Sequence, residues 1–118
     1  MLAALSLFIQ LSALVTSAPP AKTWAVVIGV GELADPQISA VPHGPADAER
    51  LRDHLTTTGG LPGERVLLLT DGGVPFFDPA STVVHAAPTR RNARLAVKWL
   101  SARVVPGDGV IVTYSGQA

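Results

Sequence analysis

The chain contains no cysteine in its 118 residues, and its charge is balanced, with nine basic and nine acidic side chains. The missing thiol excludes disulfide bonds, thiolate zinc sites and a cysteine nucleophile within this sequence. The zero net charge removes the electrostatic signature of a general nucleic-acid binder, so no nucleic-acid partner is expected. A chain of this length fits one small domain with a single hydrophobic core.

Charge is absent altogether from residues 1–21, and residues 1–15 are almost continuously apolar. Small residues at 16–18 and then two prolines follow this run, which is typical of a secretory signal peptide. The run lacks the usual basic residue at its start, so an uncleaved membrane anchor and a misassigned start are the alternatives. The prediction is an exported (periplasmic or extracellular) or membrane-anchored protein, with residues 22–118 forming the folded part.

From Lys22 onward, short aliphatic runs alternate with helical patterns. A helix is expected to open at Gly44 and Pro45 and to end near Thr56, and a second one to run from a Thr89 cap to about Arg103. The aliphatic runs have strand length and lie at residues 24–30, 65–70 and 109–114, separated by loops at 31–42 and 72–88. Strand and helix in alternation predict an α/β fold, a three-layer domain built on a parallel sheet. In such sheets the functional site lies beyond the carboxyl ends of the strands, here residues 29–35, 70–73 and 114–118.

Glycine and serine motifs at these strand ends do not indicate a cofactor or a serine nucleophile. Residues 29–34 match G-x-G-x-x-A, but Pro36 and the following loop prevent a helix from opening there, as dinucleotide binding requires. Ser115 lies at a strand end without the G-x-S-x-G elbow of serine hydrolases. We therefore expect no nucleotide cofactor.

Histidines and basic residues also have structural interpretations. His43, His54 and His85 lack the spacing of metal ligands, so no metal is expected. A basic stripe recurs at helical spacing in the second helix, and a solvated helix face is its simplest interpretation. Its members are Arg90, Arg91, Arg94 and Lys98.

Five segments in order resemble the large-subunit domain of caspase-like cysteine peptidases, especially bacterial metacaspase-like members. They are WAVVIGVGELADP, PHGPADAERLRDHL, GGLPGERVLLLTD, PTRRNARLAVKWL and PGDGVIVTYSG, within about residues 24–118. The resemblance implies a partial caspase–haemoglobinase fold, incomplete at its carboxyl end. It also implies a third strand ending in Ser-Gly-His-Gly and a following strand with the catalytic cysteine. At the position of the Ser-Gly-His-Gly string, this chain has Ser115-Gly116-Gln117-Ala118.

Gln117 at the family's histidine position predicts that peptide hydrolysis is lost. A neutral amide cannot act as a general base near pH 7, and the chain has no cysteine to be activated. The resemblance further implies that Asp47 is an acidic group of a pocket for Arg- or Lys-containing peptides. Asp47 has an alternative role as a first-turn acid that stabilises the helix dipole.

The sequence thus predicts part of a caspase-like endopeptidase domain that is inactive as written. A degenerate module that binds peptides or proteins without catalysis is the alternative, and an interrupted gene is a third explanation of the missing dyad. The resemblance implies that the first strand is flanked by the second and third, and that strand 110–114 becomes an edge because the strand that would cover it is missing. Its high β-propensity and lack of charge then predict self-association through this edge.

Overall fold

A computed structural model describes residues 21–31 and 44–116, which form one sheet with a helix on each face. The elements in chain order are β1 (Thr23–Gly29), α1 (Gly44–Thr57), a short 3-10 turn (Gly63–Arg65), β2 (Val66–Val74), β3 (His85–Ala86), α2 (Arg90–Arg103) and β4 (Gly109–Ser115). The predicted segment 1–21 lies outside the described residues except for Ala21. No helix in the described part is long and apolar enough to cross a membrane.

The sheet is four-stranded and entirely parallel, with the order β3-β2-β1-β4. β1 lies inside the sheet, paired with β2 on one side and with β4 along all seven of its residues on the other. The α/β fold class and the three predicted strands are confirmed. The neighbours of β1 are also those that were expected.

Side chains of β1 alternate between two cores, one under each helix. Val26 joins the core beneath α2, whereas Ala25 and Val27 join the core beneath α1. This two-sided burial explains why β1 is a continuous aliphatic run rather than an alternating one. The buried residues of the α2 core are Val26, Leu67, Leu69, Phe77, Ala86, Ala96 and Trp99, and those of the α1 core are Ala25, Val27, Ala48, Val66 and Leu68. The domain therefore has three layers, α/β/α.

Both helices begin where their sequence signals predict. α1 starts at Gly44, with Pro45 in its first turn. α2 is capped by Thr89, whose hydroxyl oxygen accepts a hydrogen bond from the Asn92 N–H at 3.1 Å. Thr89 thus satisfies one of the main-chain N–H groups that a helix start leaves unpaired, and Pro45 has no N–H group to satisfy.

The segment at residues 72–88, predicted to be a loop, is more ordered than expected. β2 continues to Val74, and the two-residue strand β3 pairs with it. Gly73 lies so close to the main chain of Ala86 that no Cβ would fit between them. The extension of β2 and the existence of β3 therefore depend on contacts between residues distant in sequence.

Asn92 fixes the connection between β2 and β3 onto α2. Its side chain is fully buried, and its Oδ1 accepts a hydrogen bond from the Phe77 N–H at 3.1 Å. Its Nδ2 donates to the carbonyl oxygens of Pro75 at 3.1 Å and Ala87 at 2.9 Å. Phe77 is 2% exposed in the α2 core, whereas its neighbour Phe76 is 76% exposed beneath the Arg91 guanidinium.

Asp108 ties together the amino ends of β1 and β4. Its carboxylate accepts hydrogen bonds from the main-chain N–H groups of Lys22 and Val105 and from Nε1 of Trp24. The Trp24 ring meets Trp99 edge to face, with centroids 5.7 Å apart. The Asp108 hydrogen bonds and the Trp24–Trp99 ring contact join β1, β4 and α2 at one end of the sheet.

Candidate functional site

The carboxyl ends of β1 and β4 converge with the start of α1. The Val30 N–H donates to the Ser115 carbonyl oxygen at 2.9 Å. A Cβ on Gly44 would lie 2.5 Å from the Val30 oxygen and 3.0 Å from the Ser115 oxygen, so the helix start fits here only as glycine. The sheet edge where chemistry is expected in parallel folds is thus closed tightly around the first residue of α1.

Asp47 lies in the first turn of α1, on its exposed side. Its Oδ1 is 3.7 Å from Arg50 Nη1, and 51% of the Asp47 side chain is exposed. Together with Leu51 and His54, these two residues line a shallow depression of about 300 Å³. An exposed ion pair of this kind contributes at most about 1 kcal/mol, so the carboxylate can exchange Arg50 for another cation.

A hydroxyl and an imidazole meet in the middle of β2, beside its pairing with β3. Thr70 Oγ1 lies 2.7 Å from His85 Nε2, which is hydrogen-bonding distance. Thr70 is completely buried, so its oxygen is closed to a substrate, and the pair joins β3 to β2. Sequence reasoning missed this contact because it depends on β3, which carries no periodic signal.

Asp71 brings a second carboxylate to the region where β1 ends. It follows Thr70 and is exposed. Its Oδ2 would be 3.0 Å from a Cβ on Gly31, so the carboxylate lies beside the chain that leaves β1. Asp71 therefore adds negative charge within β2, beside the carboxyl end of β1.

Several residues singled out in the sequence fall outside the described part of the chain. Gln117, His43 and the greater part of the loop at 31–42 are among them. Ser115 is described, and its carbonyl oxygen holds Val30 in place. No group of three metal-ligating side chains occurs within residues 21–31 and 44–116.

The amino end of the sheet carries a cavity of about 390 Å³, on the edge opposite to the one just described. Arg103 lines this cavity and stacks 5.0 Å above the Trp99 ring. Its guanidinium donates to the carbonyl oxygens of Pro79, Ser81 and Trp99, which fixes its position. Lys22, Glu64 and Arg65 add further charges to the rim, but the cavity shows no paired nucleophile and base.

Comparison with known proteins leaves the family open. A scan against protein-family models and a search of curated proteins found no match. The caspase-like resemblance therefore depends on the five sequence segments alone, and the parallel sheet is compatible with it without being specific to it.

Proposed function

We propose that residues 22–118 are part of a caspase-like cysteine peptidase domain and that the chain as written does not hydrolyse peptides. The observation that supports the proposal most is the position of Ser115 and Gly116. Ser115 ends β4, which neighbours β1, and Gly116 follows it at the sheet edge where α1 begins. The resemblance assigns the catalytic histidine to the next position.

The chemistry of that position supports the loss of hydrolysis. Gln117 offers an amide oxygen and an NH₂ group, neither of which takes up a proton near neutral pH. Peptide cleavage by this family needs a thiolate and a base that moves a proton to the leaving amine. The sequence has no thiol, and Gln117 leaves no base at the position that the resemblance assigns to the catalytic histidine.

A peptidase assay tests this proposal. Purified protein is incubated with reporter peptides that contain Arg or Lys before the cleaved bond, with and without a thiol-alkylating agent. We expect no turnover by the original chain or by Gln117→His, because a restored histidine still has no cysteine to activate. Turnover that copurifies with the chain and resists alkylation would overturn the proposal.

Asp47 is the residue we propose to retain affinity for Arg- or Lys-containing peptides. Its carboxylate is half-exposed and engaged only by exposed Arg50 among the described residues, so a peptide guanidinium can replace that partner. An Arg-containing peptide should bind more tightly than its neutral analogue, and Asp47→Asn should remove the difference. Asp53→Asn, an exposed acid on the same helix, is the matched control. Equal binding of both peptides leaves Asp47 with the helix-dipole role alone.

A non-catalytic binding module is the second candidate function, and the outer edge of β4 favours it. β4 is the last strand in the sheet order and carries three exposed apolar side chains. An extended peptide can add to such an edge by main-chain hydrogen bonds. Binding of an extended apolar peptide that is unaffected by Asp47→Asn would favour this function over the acidic pocket.

Export or membrane anchoring through residues 1–21 is proposed from the sequence alone. Expression in a secreting host should remove about 17 to 21 residues if the segment is a signal peptide. Intact-mass measurement distinguishes the cleaved protein from an anchored one, and a soluble cytoplasmic product that retains Met1 would contradict both.

A further inference from the structure

The cavity at the amino end of the sheet has the size of a small-molecule site. Its volume of about 390 Å³ lies in the range of such pockets. The start of β1, the residues just before β2, the segment at 80–84 and the end of α2 form its walls. Asp47 lies in the first turn of α1, at the opposite edge of the sheet, so this cavity is separate from the proposed peptide pocket.

Arg103 holds a fixed positive charge in this cavity. Its Nη1 donates to the carbonyl oxygens of Pro79 at 2.9 Å and Trp99 at 3.1 Å, and its Nη2 donates to that of Ser81 at 3.3 Å. These carbonyl groups orient the guanidinium without neutralising it, and Arg103 forms no ion pair with any residue of 21–31 and 44–116. A side chain already held in place loses little entropy when an anion binds to it.

Two N–H groups of Arg103 remain for a ligand. A guanidinium has five N–H donors, and three of them serve the carbonyl oxygens. The Nε–H and one hydrogen of Nη2 have no acceptor in the described part of the chain. Carboxylate and phosphate oxygens are the acceptors that a guanidinium binds most strongly.

The other charges around the cavity leave it positive. Arg65 and Lys22 line it together with one acid, Glu64. The Arg65 side chain makes no hydrogen bond or ion pair with the described residues. Asp108 lies nearby, outside the lining, and its carboxylate already accepts three hydrogen bonds. Positive charges outnumber negative ones even when Asp108 is counted, so the cavity attracts anions.

An apolar and partly aromatic wall lies beside these charges. Trp24 is half-buried, and its Nε1 donates to Asp108, so it offers a ligand mainly the carbon atoms of its ring. Ala80 and Val84 add aliphatic surface. An aromatic ring packs well on a wall of this kind.

We propose that this cavity binds a small aromatic anion, a carboxylate or phosphate group carried on a single aromatic ring. The anionic group accepts hydrogen bonds from Nε and Nη2 of Arg103 and is attracted by Arg65. The ring packs against Trp24 and Val84. The proposed peptide pocket at Asp47 prefers cations, so the two sites have opposite charge preferences and can be tested independently.

Isothermal titration calorimetry of the purified protein tests the ligand class. Benzoate and phenyl phosphate are the anionic probes, and benzamide is their neutral counterpart. We expect at least one of the anions to bind about tenfold or more tightly than benzamide, because benzamide cannot neutralise the arginines. The tighter of the two anions identifies the charged group. Equal binding of benzamide would overturn the proposal. Acetate or inorganic phosphate binding as tightly as the matching aromatic anion would overturn its aromatic part.

Substitution of the two arginines tests the location. Arg103→Gln should raise the dissociation constant of the tighter anion about tenfold or more, and Arg65→Gln about threefold. Arg94→Gln is the matched control, because Arg94 is exposed on α2 and does not line the cavity, so it should leave the affinity unchanged.

Arg65→Gln keeps the test decisive if Arg103→Gln fails to fold. The Arg103 side chain is bonded to the segment at 79–81, whereas the Arg65 side chain is bonded to none of the described residues. Far-UV circular dichroism shows which variants are folded. An affinity that Arg65→Gln leaves unchanged, or that Arg94→Gln lowers to the same extent, would refute binding in this cavity.

Discussion

Replacing Asn92 by alanine should destabilise the domain more than any exposed substitution on α2. The change removes the three hydrogen bonds that a fully buried side chain makes with the main chain, and it leaves the Phe77 N–H and the carbonyl oxygens of Pro75 and Ala87 without their partner. At about 1 kcal/mol of net stability for each bond, the loss is about 3 kcal/mol, a large share of the 5–15 kcal/mol typical of a domain. For a domain of this size, the melting temperature should fall by more than about 10 °C.

Calorimetry or thermal circular dichroism measures this loss, with exposed Arg94→Ala as the control. Asn92→Asp sharpens the test, because a carboxylate still accepts from Phe77 but cannot donate to the two carbonyl oxygens. Near neutral pH it should be at least as damaging as alanine. It should recover partly as the pH falls, since a protonated carboxyl regains one donor. A melting temperature for Asn92→Ala within about 2 °C of the control would refute the role assigned to this side chain.

Two further predictions concern the loop and the amino end of the sheet. Phe77→Ala should cost about 3–5 kcal/mol of unfolding free energy, because it empties a core position, whereas Phe76→Ala should cost less than about 1 kcal/mol. Equal losses in denaturant titrations would contradict the assignment of these neighbours to core and surface. Asp108 should make the free energy of unfolding depend on pH in the acidic range, because hydrogen bonds from Lys22, Val105 and Trp24 lower its pKa from the usual 3.8. Its contribution is complete above the usual pKa and is lost as the pH falls through the lowered one, so Asp108→Asn should flatten the stability profile in that range. An unchanged dependence of stability on pH would count against the role assigned to the Asp108 carboxylate.

Local sequence signals were enough to predict the helices, which satisfy their own hydrogen bonds, and the strand that is buried on both faces. The run at 24–30 predicts β1 because both faces of that strand are covered, and Thr89 predicts the start of α2 because its cap is local. β3 could not be predicted, because two residues carry no period and depend on β2 for all their pairing. The pairing of Thr70 with His85 was hidden for the same reason. The sequence also does not show which of the adjacent Phe76 and Phe77 is buried, because the burial of Phe77 depends on the hydrogen bond from its N–H to Asn92 in α2.

The edge-to-face tryptophan pair gives the protein a built-in optical reporter. Trp24 and Trp99 are the two indoles of the chain, and both belong to the side of the sheet covered by α2. Intrinsic fluorescence therefore senses the separation of α2 from β1, while the α1 layer contains no indole and stays silent. A fluorescence transition that coincides with the loss of far-UV circular dichroism would mean that both layers melt together. An earlier fluorescence transition would show α2 leaving the sheet while α1 stays in place.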